Sequence, residues 1–131
     1  MKGTLKYYWP AILWALFILL LCSVKINEAP HSSLFFPGFD KLVHCGLFFV
    51  MTVFLSAGAT RKQSAPGLSY KALLVVIIAS IVYGGLIELS QACIFTWRDG
   101  DWNDLFADTI GVLMGAFSIF ITAKALSYDK S

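Results

Sequence analysis

The chain has 131 residues, 58% of them hydrophobic and only 14% charged, with a mean hydropathy of +0.74. That is too oily for a soluble globular domain and points to a small integral membrane protein with no room for a separate soluble domain. The net charge of +2 comes without a basic run or an aromatic-interleaved basic patch, which sets nucleic acid aside as a partner.

The first predicted span covers about residues 7–24, rich in Leu, Ile, Trp and Phe, with Lys2 and Lys6 ahead of it. Its apolar run exceeds the roughly 7–15 residues of a signal peptide and no small-x-small cleavage site follows, so a retained helix is expected. Leu21 before Cys22 is too bulky for a lipoprotein cleavage site. A connection from Lys25 to Phe39 carries Pro30, Pro37 and Gly38, which preclude a continuous helix, and the Phe35-Phe36 pair suits a membrane interface. The second span, about 42–59, has Asp40 and Lys41 at its entrance. A short polar loop, Thr60 to Tyr70, precedes the third span, about 71–95, whose first half is Val, Ile and Leu and whose second half holds Gly84, Gly85, Glu88 and Gln91. The connector Thr96 to Asn103 carries Arg98, Asp99 and Asp101 between Trp97 and Trp102, and the fourth span covers about 104–126. Cys22, Cys45 and Cys93 lack metal-knuckle spacing and read as packing residues.

The expected fold is therefore all-α, a four-transmembrane-helix bundle forming one domain over residues 1–131. Seven basic residues (Lys2, Lys6, Arg61, Lys62, Lys71, Lys124, Lys130) fall on one side and three (Lys25, Lys41, Arg98) on the other. The positive-inside rule then predicts cytoplasmic N- and C-termini.

Alternating topology brings the polar residues of three helices to one end, the extracytoplasmic one. Asp40 and His44 are i,i+4, Glu88 and Gln91 i,i+3, and Asp104 and Asp108 i,i+4, so each pair shares a helical face. At 1.5 Å per residue, Glu88 lies about 10 Å below Phe95, and His44 and Asp108 about 6 Å below their helix entrances. A charge within a span costs roughly 2.5–3.5 kcal/mol on insertion scales, so such residues turn into the bundle and mark function. Gly111 and Gly115 continue the Asp104/Asp108 face as a GxxxG, and with Gly84 and Gly85 they are the expected helix-packing glycines.

The candidate ligand-binding set is Asp40, Lys41, His44, Glu88, Gln91, Arg98, Asp101, Asp104 and Asp108. His44 and Glu88 are the candidates for acid/base work, and Arg98 could hold an anionic group in bidentate fashion. His44 with Glu88, Asp104 or Asp108 could also ligate a divalent ion. No local motif such as HExxH supports one, so no metal and no cofactor is expected. Simpler readings stand beside these: Asp40 and Asp104 as helix N-caps, and the whole cluster as interhelical glue.

Asp40-Lys41-Leu42-Val43-His44 with Phe48, Glu88-Leu89-Ser90-Gln91, Arg98 with Asp101 and Asp104, and Thr109-Ile110-Gly111 with Gly115 resemble, in order and spacing, the VanZ-like family of small bacterial membrane proteins. The resemblance covers roughly Phe39 to Gly115. It departs at Asp108, where the family usually has Asn. The family is named for a protein conferring low-level teicoplanin resistance, so the resemblance implies a protein of the bacterial cytoplasmic membrane, linked to glycopeptide resistance. Membrane lipids and a glycolipid or glycopeptide are the implied partners. The expected function is binding of such a ligand in an outer-leaflet polar pocket. The alternatives are a membrane enzyme acting on a lipid or lipid-linked sugar, with Ser90 as a weak nucleophile candidate, and a structural subunit. Transport is less attractive because the inner halves of the helices read as apolar.

Overall fold

In the computed structural model, residues 2–23, 37–63, 68–94 and 100–128 are described. They form four helices, α1 (Lys2–Ser23), α2 (Phe39–Gln63), α3 (Tyr70–Cys93) and α4 (Trp102–Tyr128), with no strand among the described residues. Each is long and apolar enough to cross a membrane, and the chain is an all-α, multi-pass membrane bundle. Most helix starts overrun the expected spans, α1 beginning at Lys2 rather than 7, α2 at Phe39 rather than 42 and α4 at Trp102 rather than 104, whereas α3 ends at Cys93, short of the expected 95. Hydropathy marks only the apolar stretch, whereas backbone hydrogen bonding continues through the polar turns at each end. Pro30, the Phe35-Phe36 pair, Trp97 and Arg98 lie outside the described residues.

Polarity runs from inside to outside in the reverse of the soluble order. Leu13, Leu16, Leu74, Val75, Ile78 and Phe117 face outward, while His44, Thr52, Ser56, Ser80, Glu88, Gln91, Asp104 and Asp108 are buried. An apolar solvent removes the penalty on exposed Leu and Ile and drives polar groups toward one another.

Small residues set the closest approach. On α4 the buried face runs through Asp104, Ala107, Asp108, Gly111, Val112, Gly115 and Ala116, a helical i, i+3, i+4 pattern. Gly111 lies directly against the Cys45 backbone of α2, and a side chain at Gly115 would meet Phe49 O and Thr52 Cβ, both at 2.9 Å. The GxxxG is thus the seam between α2 and α4. Gly58 plays the same part for α1, where a Cβ would stand 2.7 Å from the Tyr8 ring and 2.9 Å from Tyr7 O. Polar ties complete the bundle: Trp14 Nε1 donates to Leu47 O at 2.9 Å, and Tyr83 Oη donates to Ala15 O at 2.6 Å. Ile18, Phe48, Met51, Ile87 and Val112 pack between them.

Candidate functional site

The helix starts at the polar end are built differently from the sequence expectation. Asp101, not Asp104, caps α4: its Oδ1 accepts from Asn103 N at 2.8 Å, and its carbonyl accepts from Asp104 N at 2.9 Å and Leu105 N at 3.3 Å. Asp104 therefore sits in the first turn with its side chain free to reach sideways, and it is buried. Asp40 is likewise not a cap, since the Gly38 carbonyl accepts the first helical bond of α2, from Leu42 N at 3.2 Å. Gly38 has φ +87°, a conformation that glycine adopts without strain.

Lys41 is the hub of the outer layer. Its Nζ donates to Asp104 Oδ1 at 3.1 Å, Asp101 Oδ2 at 3.2 Å and Asp40 Oδ2 at 3.2 Å, tying the start of α2 to the start of α4. The hydrogen bond from Asn103 N and the Lys41 ammonium hold the Asp101 carboxyl below its ordinary value of 3.8. Because the folded state binds that proton less readily than the unfolded chain, the stabilisation is complete above the ordinary Asp range and is lost as pH falls through the lowered value. In detergent, Asp101→Ala should melt lower than Asp101→Asn, which keeps the cap and loses only the charge. Both variants should lose the wild type's extra fall in melting midpoint below about pH 4. Equal midpoints for the two variants at neutral pH would show that the cap contributes nothing.

One turn deeper lies a buried cluster from three helices. His44 Nδ1 and Asp108 Oδ1 share a hydrogen bond of 3.0 Å, the ring nitrogen donating when it carries the proton. His44 Nε2 lies 3.8 Å from Asp104 Oδ2. Glu88 Oε2 accepts from Asp101 N at 2.9 Å, so the capping loop of α4 rests on a carboxylate of α3. Donor atoms of His44, Glu88 and Asp108 all lie within 4.8 Å of one another. Yet Glu88 Oε1 and Asp108 Oδ2 have no hydrogen-bond partner among the described residues, although Glu88 is 7% and Asp108 0% exposed. Leaving such an oxygen without a donor costs about 1–3 kcal/mol.

Gly84 makes room for this cluster: a Cβ there would lie 2.9 Å from Asp108 Oδ2 and 3.3 Å from the Phe48 ring. Gly85 differs from its expected packing role. Nothing lies within 4 Å of where its side chain would project, and it lines a cavity of about 140 Å³ between α3 and the start of α4, with Glu88, Ala92, Gly100, Asp101 and Trp102.

Of the expected site residues, Asp40, Lys41, Asp101 and Asp104 form the outer layer and His44, Glu88 and Asp108 the inner one. Gln91 stands apart: it is buried, and its Nε2 donates to Cys22 O of α1 at 3.3 Å. Ser90 Oγ donates to Leu86 O at 2.7 Å, away from the cluster. The sequence reading missed Gly100, where a Cβ would lie 2.9 Å from Glu88 O and 3.3 Å from Ala92 Cβ, so only glycine lets the loop pack this closely on α3. It also missed a buried hydroxyl line, Thr52, Ser56 and Ser80, in helix halves taken as apolar. The signal was present: Thr52 and Ser56 continue the i+4 ladder from His44 and Phe48, and Ser80 that from Glu88 and Gly84. Comparison of the chain with known protein families, with curated proteins and with solved structures found no match.

Proposed function

We propose that this is a VanZ-like protein of the bacterial cytoplasmic membrane, its termini cytoplasmic, whose polar end lies in the outer leaflet and binds an ammonium-bearing lipid headgroup. The observation that carries this reading is the buried Glu88 Oε1, without a partner among the described residues, on a residue that lines the cavity between α3 and α4. That oxygen calls for a donor. Formal charge selects the kind of donor: among the described residues of the site, Asp40, Glu88, Asp101, Asp104 and Asp108 are five carboxylates, while Lys41 and His44 supply two cationic groups even with His44 protonated. An excess of carboxylates favours an ammonium and disfavours a bare phosphate. Trp102, 82% exposed at the cavity mouth, suits the headgroup layer, where amphipathic rings collect.

Size also bears on the ligand. A cavity of about 140 Å³ is smaller than the roughly 300–1,000 Å³ of pockets for drug-sized molecules. It suits a headgroup and not a whole glycopeptide, so any effect on teicoplanin acts through the membrane surface the drug must reach. Enzymatic action on a lipid has weaker support, because Ser90 stands outside the cluster.

Native mass spectrometry tests the reading with two lipids that differ at the nitrogen. Wild type should retain phosphatidylethanolamine in preference to phosphatidylcholine, whose quaternary nitrogen has no N–H to donate. Gly85→Leu fills the cavity while leaving every carboxylate in the sequence, and should abolish the preference. Equal retention of the two lipids by wild type, or an undiminished preference in Gly85→Leu, would overturn the proposal.

A further inference from the structure

We infer that His44, Glu88 and Asp108 form a site for one divalent cation of the Zn²⁺ type, held between α2, α3 and α4. One imidazole and two carboxylates are a mixed nitrogen and oxygen donor set suited to Zn²⁺, whereas Mg²⁺ and Ca²⁺ prefer oxygen alone. All three side chains are buried, and their donor atoms lie within 4.8 Å of one another. Around a tetrahedral ion with bonds of about 2.0–2.2 Å, donors stand roughly 3.4 Å apart. The His44 Nδ1 to Asp108 Oδ1 separation of 3.0 Å is already of that order, and side-chain rotation covers the remaining ångström or so.

The unsatisfied atoms point to a ligand independently of the clustering. Glu88 Oε1 and Asp108 Oδ2 are the two buried carboxylate oxygens without a partner among the described residues, and they come from two of the three residues of the set. Their sister oxygens are already engaged, Glu88 Oε2 by Asp101 N and Asp108 Oδ1 by His44 Nδ1. The surrounding groups complete the pattern. With Nδ1 turned to the ion, His44 Nε2–H faces Asp104 Oδ2, now 3.8 Å away, and Asp104 is itself anchored by Lys41 at 3.1 Å. A ligating histidine is commonly oriented by such a carboxylate on its other nitrogen. Three protein donors leave a fourth position open to water or to a ligand atom, the arrangement of reactive rather than purely structural zinc sites. Both readings use Glu88 Oε1, but the ion also needs His44 and Asp108 whereas the headgroup needs the cavity at Gly85, so the two are told apart at those positions.

The test uses the full chain in lipid nanodiscs, stripped with a chelator, titrated with Zn²⁺, desalted and assayed for metal. Wild type should hold one Zn²⁺ per chain. Asp108→Asn keeps an acceptor for His44 and should bind at least about tenfold more weakly, the loss that follows even from removing a group that merely orients a ligand. Gly85→Leu should bind like wild type, so failure of the lipid reading and failure of this one are told apart. Wild type alone gives a second readout: Zn²⁺ should raise its melting midpoint and equimolar Mg²⁺ should not. No Zn²⁺ in wild type beyond that in Asp108→Asn, or equal shifts with Zn²⁺ and Mg²⁺, would overturn the inference.

Discussion

Gly111→Ala should destabilise the bundle by about 3 kcal/mol or more, the upper end of what overpacking costs. The added methyl would fall on the Cys45 carbonyl, with Cys45 C at 2.9 Å and Cα at 3.0 Å, and none of these is the movable end of a side chain. Helices α2 and α4 would have to separate along their whole seam, taking His44 away from Asp108 and Lys41 away from Asp104. Gly115→Ala should cost less, because its nearest obstacles, Phe49 O and Thr52 Cβ, both stand at 2.9 Å, farther off than the Cys45 carbonyl oxygen that faces Gly111. Gly85→Ala is the control: with nothing within 4 Å it should be neutral or, by helix propensity, more stable by up to about 1 kcal/mol. Reversible unfolding in mixed detergent and SDS micelles would rank the three. A Gly111→Ala protein as stable as Gly85→Ala would refute the packing seam.

The bundle and its polar end were legible in the sequence because a membrane span has a length and an inward-facing charge has a cost. Spacing put His44, Glu88 and Asp108 on inward faces at matching depth, and the structure brings them together. It could not rank Asp101 above Asp104 as the cap, because an aspartate before a helix and one in its first turn look alike until the backbone bonds are placed. Nor could it separate Gly84 from Gly85: adjacent glycines lie about 100° apart around the helix, and only the contacts show that one holds space for Asp108 and the other opens a cavity. A metal motif is local by definition, so three donors from three helices, 44 and 20 positions apart in the chain, were invisible to one. Gln91 shares a face with Glu88, yet its long side chain reaches back to α1, a choice the packing of α1 decides.

Glu88→Gln separates a binding site from packing glue, because the two roles predict opposite signs of stability change. The amide keeps an oxygen to accept from Asp101 N and removes a buried negative charge. Its NH₂ group adds a donor beside Asp108, whose donor atom lies within 4.8 Å of that of Glu88 and whose Oδ2 has no partner among the described residues. Two orphaned oxygens would become a donor and acceptor pair, and the protein should gain about 1–3 kcal/mol while losing its ligand. That combination, greater stability with lost binding, is the signature of a group kept for function at a cost to the fold. The deciding measurement is the melting midpoint of wild type and Glu88→Gln in the same detergent, with retained phosphatidylethanolamine read from the same samples by native mass spectrometry. A higher midpoint and lost lipid preference in Glu88→Gln is the predicted result, and a lower midpoint with lipid retention intact would contradict it.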